Sequence, residues 1–163
     1  MPASQTDYAV ETLKILASGF VGALAAYLFN LFHWKTTERL RKLELVSQSI
    51  IDNTVKIEHA AVEYWLSGSG QNEQEKLRLK HLEITIKSLL LNQNSSTSKL
   101  ISICRIRKQA EIAESVKKMN NRLYDLATGE EFESAQKPSR PSKCNRITKA
   151  CAEIRFKLVE LSI

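Results

Sequence analysis

Proline and glycine are scarce in this chain, three and five residues among 163. Folds built of many short strands need frequent turn residues, so this scarcity favours long helices over a many-turned β fold. Neither residue occurs between Gly22 and Gly68. Cysteine is limited to Cys104, Cys144 and Cys151. An odd, widely spaced set implies no disulfide framework and fits a reducing compartment. The three histidines, His33, His59 and His81, fall on different segments with no second ligand at metal-binding spacing. The acidic cluster Glu130, Glu131 and Glu133 beside Phe132 reads as an exposed loop. There is no phosphate-binding glycine loop, nucleophile elbow or paired-carboxylate motif. No catalytic residue, metal or cofactor is therefore expected. Internal repeats and low-complexity stretches are also missing.

What is present is an uncharged run, Ile15 to Phe32, reading ILASGFVGALAAYLFNLF. Its length is about what a helix needs to cross a hydrocarbon core of roughly 30 Å. A core helix of a soluble protein is usually shorter in its apolar run. A cleaved signal peptide needs a basic leader, whereas Asp7 and Glu11 precede the run with only Lys14 in opposition. An interfacial helix needs a polar face, which residues 15–32 lack. Lys35, Arg39, Arg41 and Lys42 follow closely, so the positive-inside rule places the C-terminal part in the cytoplasm and the N-terminus outside. Trp34 marks the cytoplasmic boundary as an interfacial aromatic.

The expected organisation is a short extracytoplasmic N-terminus over 1–14, a transmembrane helix over 15–34 and a cytoplasmic helical bundle over 35–163. Beyond Phe32, Leu40, Leu43, Ser47, Ile50, Thr54, Ile57, Ala61 and Tyr64 recur at heptad spacing. That pattern predicts a helix continuous with the span, about 60 residues and roughly 90 Å long, bearing a weak coiled-coil seam. Ser67-Gly68-Ser69-Gly70 ends it. A second helix is expected from Asn72, as cap, to Leu91, with Glu73 and Glu75 in its first turn. Its inner face holds Leu79, Leu82, Ile86, Leu89 and Leu90. The polar run Asn92 to Ser98 reads as a turn, and a third helix as Thr97 to Ala127. That helix turns Leu100, Ile103, Ile106, Ala110, Ala113, Val116, Leu123 and Leu126 inward. Residues 130–143, with Pro138 and Pro141, read as a loop. A fourth helix starts near Ser142, with Ile147, Cys151, Ile154, Leu158 and Leu161 inward. The fold class is all-α, a single-pass transmembrane helix continuing into an antiparallel bundle.

Two features point to function. Ser18, Gly22 and Ala26 are spaced by four, with Gly19 and Ala23 alongside, and such small residues let membrane helices associate closely. Asn30 adds a group able to hydrogen-bond across helices. The second feature is charge. The net charge is +6, and removing Lys14, Asp7 and Glu11 from the 24 basic and 18 acidic residues leaves 23 and 16 after the span. In the C-terminal region Lys137, Arg140, Lys143, Arg146, Lys149, Arg155 and Lys157 face only Glu153 and Glu160. With Arg105, Arg107 and Lys108 they are expected to form one basic patch, whose core is Arg105, Arg107, Lys108, Lys143, Arg146 and Lys149. Such a patch suits anionic lipid, an acidic protein or nucleic acid. The lack of aromatics other than Phe156 argues against a stacking platform for single-stranded nucleic acid.

The expected partners are the bilayer, further copies of the chain and a cytoplasmic protein. The cytoplasmic bundle receives the partner, and the long helix couples it to packing of the spans. The design resembles membrane-tethered effectors of bacterial toxin and antiphage systems, in which oligomerised spans disturb the membrane. The alternative is a passive anchor or adaptor for a cytoplasmic partner, and the third class is a membrane-tethered nucleic-acid binder.

Overall fold

A computed structural model describes residues 5–104, 106–129 and 131–161, with side chains from Lys14 onward except Ile15 and Leu16. All regular structure among them is helical: α1 Gln5–Ser67, α2 Glu73–Ile103, α3 Arg107–Thr128 and α4 Pro141–Val159. The chain divides into two units, residues 1–41 and 42–163, and α1 contributes to both.

In the first unit the described side chains of residues 17–30 are exposed on every side of the helix. No helix among the described residues is long and apolar enough to cross a membrane. The single-pass part of the expectation therefore has no support from these helices. The uncharged run begins with Ile15 and Leu16, whose side chains lie outside the description. The remainder is diluted by Ser18, Gly19, Gly22, Tyr27 and Asn30.

The second unit is an up-down-up-down four-helix bundle. Its direction is fixed by pairs across the helices. On α1 and α2, Asn53 meets Gln93 while Tyr64 meets Glu83, so the two run antiparallel. On α1 and α4, Glu58 meets Arg155 while Val62 meets Cys144, again antiparallel. The core stripe of α1 is the expected heptad from Leu43 to Tyr64, every member buried. Leu40 is 49 % exposed and takes no part. The seam is thus occupied within the chain and is not available to pair copies as a coiled coil. The inward face of α4 is as expected, with Ile147, Cys151, Ile154, Leu158 and Leu161 buried.

The boundary between the second and third helices differs from expectation. Asn92 to Ser98 is not a turn, because α2 runs through it to Ile103. The reversal falls between the end of α2 at Ile103 and the start of α3 at Arg107, and Ile106 is exposed. The start of α2 is as expected: the Asn72 side chain accepts from Glu75 N at 2.8 Å, and the Glu75 carboxylate accepts from Gln71 N at 2.6 Å.

The polar run continues as helix because its inward members find partners. Gln93 is 1 % exposed, and its amide donates to Thr54 Oγ1 at 2.7 Å and to Asn120 Oδ1 at 3.3 Å. The Asn120 amide donates to Thr97 Oγ1, which in turn donates to Gln93 O at 2.8 Å. Asn53 donates to Gln93 Oε1 at 3.1 Å and to Leu89 O at 2.8 Å. One closed polar layer thereby joins α1, α2 and α3 inside an otherwise apolar core, and polar groups so buried are tolerable only when satisfied.

Cys104, Cys144 and Cys151 are buried. Burial pushes the Cys151 thiol up from 9.0 to about 12. Unfolded chains lose this proton from about pH 9 while the native state keeps it. The stabilisation is complete below pH 9 and is lost as pH rises toward 12. Burial raises the Tyr64 phenol and the Cys144 thiol in the same sense, whereas it lowers Lys137, which acts oppositely. Across that window Cys151→Ala should flatten the fall in urea-unfolding free energy by up to about 1.4 kcal/mol per pH unit, one proton's linkage. A second expectation concerns the polar layer. Gln93→Leu strands Thr54, Asn53 and Asn120, and should cost about 2–4 kcal/mol in urea unfolding. Adding Thr54→Val and Asn120→Leu should recover part of that loss, because fewer buried groups then lack partners.

Candidate functional site

The end of the bundle where α1 stops is built around Tyr64 and Trp65, both fully buried. Their rings meet edge to face at 5.3 Å, and Phe132 closes on Tyr64 at 5.1 Å. Trp65 Nε1 donates to Ala127 O of α3 at 3.0 Å. Tyr64 OH donates to Glu83 of α2 at 3.0 Å and accepts from Glu133 N at 2.9 Å. Glu133 holds a left-handed backbone, φ 66°, and its carboxylate meets Lys87 at 2.7 Å. The Lys87 ammonium holds that carboxyl below its usual range.

Two lysines lie inside this assembly. Lys137, 2 % exposed, donates from Nζ to Tyr64 O at 2.6 Å and Gly68 O at 2.5 Å. It caps the carbonyl end of α1, where the helix dipole favours a cation. Gly68 supplies the left-handed turn, φ 62°, that aims its carbonyl there. Lys143 donates to Gly129 O at 2.9 Å, at the end of α3, and its Nζ stands 3.5 Å from the centre of the Trp65 ring. Burial lowers the affinity of Lys137 for its proton.

These contacts remove Lys137 and Lys143 from the expected surface patch. Of the rest, Arg140 and Arg146 come together, but Arg107 and Lys108 do not join them. Arg105 lies outside the described residues. Arg107 and Lys108 open α3, whereas Arg146 and Lys149 lie in the first half of α4. The two helices run antiparallel and Arg122 meets Glu153 at 3.4 Å. Counting 15 residues one way along α3 and 7 the other way along α4 from that pair puts Arg107 about 33 Å from Arg146 along the axis. Arg107 pairs with Glu111 at 3.0 Å, Arg155 with Glu58 at 2.5 Å and Lys157 with Glu160 at 2.7 Å. The acidic loop is occupied in the same way: Glu131 pairs with Arg140 at 2.7 Å and Glu133 with Lys87, while Glu130 lies outside the described residues. Among the described residues no group of three potential metal ligands converges.

A smaller basic site does form. A cleft of about 240 Å³ opens where the end of α3 faces the start of α4. Arg122 and Asp125 line it from α3, Arg140 from the preceding loop, and Ser142 and Arg146 from α4, with Leu126 and the stem of Lys143 at its inner wall. Arg146 makes no ion pair among the described residues. Arg122 escapes a reading of the C-terminal region alone, since it sits 18 positions before Arg140. Its place on the outward side of α3 is readable from periodicity, but its closeness to Arg146 depends on how α4 docks. A larger groove of about 520 Å³ between α1 and α2 is lined by both signs, Asp52 against Lys56 and Lys99, and holds no arginine.

Ser18, Gly22 and Ala26 lie on α1 in the first unit, all exposed, and a Cβ added at Gly22 would meet open space. Searches of family models, curated proteins and solved structures give no match to this chain.

Replacing Lys137 by Met should leave Tyr64 O in the last turn of α1 and Gly68 O just after it without this donor and cost about 2 kcal/mol, the gain from no longer burying a charge offsetting part of the loss. Lys149→Met, on the exposed face of α4, should change stability by less than about 0.5 kcal/mol. Urea titration of the two variants measures the contrast between a buried and a solvated lysine of one sequence cluster.

Proposed function

We propose that this chain is a non-catalytic, membrane-tethered four-helix bundle that acts by assembly of its anchors when the bundle engages a partner. Residues 15–34 form the single-pass anchor, with the N-terminus outside and the bundle in the cytoplasm. The observation that carries this reading is the exposure of large apolar side chains around the helix. Phe20, Val21, Tyr27, Phe29 and Phe32 are each more than 60 % exposed, and Phe29 reaches 75 %. An amphipathic helix would confine such residues to one stripe against a core, and this segment has no such stripe. Hydrocarbon satisfies an apolar surface of this kind, with every backbone group bonded within the helix. The step from tether to assembly rests on Ser18, Gly22 and Ala26, whose small side chains allow close backbone approach in lipid. In its most specific form the reading is a toxin or antiphage effector whose assembled spans disturb the bilayer.

A passive anchor or adaptor is the second reading. It is favoured by one feature: Ile50, Thr54 and Ile57 are wholly buried inside the bundle. No heptad seam after the anchor is then left to pair copies, and association rests on the anchor alone.

Alkaline carbonate should leave the protein in the membrane fraction, and release would remove the tether. Single cysteines along 18–26, crosslinked in membranes, should give yields peaking at 18, 22 and 26. Gly22→Ile keeps the run apolar and should lower the yield severalfold without loss of insertion. A flat profile leaves the passive adaptor as the function. Overproduction that collapses membrane potential supports the effector form.

A further inference from the structure

We propose that the cleft between α3 and α4 is a binding site for a phosphate monoester group. Three guanidinium groups from separate elements, Arg122, Arg140 and Arg146, surround about 240 Å³ of open space. Planar guanidinium donors match phosphate oxygens in pairs, which a lysine ammonium does not. Asp125 is the single acid lining the cleft, so the arginines leave an excess of positive charge there. Arg122 is held weakly, reaching Glu153 only at 3.4 Å and 61 % exposed, whereas Arg140 pairs with Glu131 at 2.7 Å. Arg146 has no acid opposite it among the described residues, so it needs no rearrangement to accept an anion.

Two further features favour a doubly charged group. The Lys143 ammonium is fixed behind the inner wall, held by Gly129 O at 2.9 Å and the Trp65 ring. It cannot swing out as an ordinary surface lysine does, so its charge is a standing one. Beside the cleft α4 begins at Pro141 with no side-chain cap on its first turn, and Ser142 of that turn lines the cleft. Size limits the ligand. The space is below the roughly 300–1,000 Å³ of sites that enclose a drug-sized molecule. A phosphate with a small substituent fits, while a nucleobase or an acyl chain must remain outside. The site does not depend on the membrane reading. A soluble phosphomonoester and the headgroup of a phosphomonoester lipid present the same chemistry to it.

The test uses the full chain in mild detergent, titrated calorimetrically with inorganic phosphate and with glycerol 3-phosphate. In parallel, flotation is measured with phosphatidylcholine vesicles containing phosphatidic acid, or phosphatidylserine at equal charge. Saturable binding of the soluble phosphates is expected, weakened about tenfold or more by Arg146→Gln and by Arg122→Gln, from the loss of a charge-assisted bond. Arg107→Gln, at the other end of the bundle, should leave it unchanged. Affinity for glycerol 3-phosphate should fall below about pH 6 as the monoester dianion takes up a proton and becomes a monoanion. Binding of soluble phosphates assigns the site to a free ligand. Binding only to phosphatidic acid vesicles, lost in Arg146→Gln, assigns it to a lipid headgroup. No binding in any arm overturns the proposal. Equal response to phosphatidylserine, or equal loss in Arg107→Gln, also overturns it and reduces the cleft to diffuse surface charge. Carbonate release of the protein would remove the tether reading without altering the soluble-phosphate result.

Discussion

The bundle depends on how α1 is stopped. A helix 63 residues long ends at Ser67, with last-turn carbonyls that have no intrahelical partner. The Lys137 ammonium bonds Tyr64 O in that turn and Gly68 O just beyond it, while Arg140 N bonds Trp65 O. This places a charge in a nearly dry site, which is tolerable because the α1 dipole and the faces of two aromatic rings all present negative potential to it. The loop between α3 and α4 must then pass over the end of α1 to deliver the lysine. That path also brings Phe132, Glu133 and Arg140 to Tyr64 and Trp65, so all four helices meet at one point. The adjacent basic cleft follows from the same path, since Arg140 and Ser142 lie where the loop turns into α4.

The polar layer at the middle of the bundle has a different consequence. Four apolar stripes alone permit sliding by a turn at little cost. Gln93, Thr54, Thr97 and Asn120 satisfy one another in a single register only, and a shift of one turn would bury unbonded amides. This specificity is bought with less apolar burial at the centre. It also accounts for the length of α2, which must carry Gln93 and Thr97 past the layer before the chain reverses after Ile103.

Much of the bundle is legible from local pattern. The α1 stripe, the Asn72 cap and the inward face of α4 each depend on spacing within one helix, or on capping chemistry within one turn. The errors lie where polar residues acquire partners from other helices. Asn92 to Ser98 reads as a turn because amides and hydroxyls compete locally with helix hydrogen bonds. With buried partners across the bundle they no longer compete. Lys137 and Lys143 read as surface charge because lysine is almost never buried without partners, and their partners are helix-end carbonyls and an indole ring from distant parts of the chain.

The sequence by itself determined the all-helical class, the uncharged run over 15–32 and the apolar faces that build the core, because periodicity and scarcity of Gly and Pro act over a few residues. Tertiary structure alone decided which charges remain at the surface. Antiparallel docking of α3 and α4 separates Arg107 from Arg146 and brings Arg122 beside it, and no count of basic residues along the chain contains that geometry. It also decided that the heptad seam closes within one chain, since a stripe of apolar residues states that a partner is needed without stating which helix supplies it.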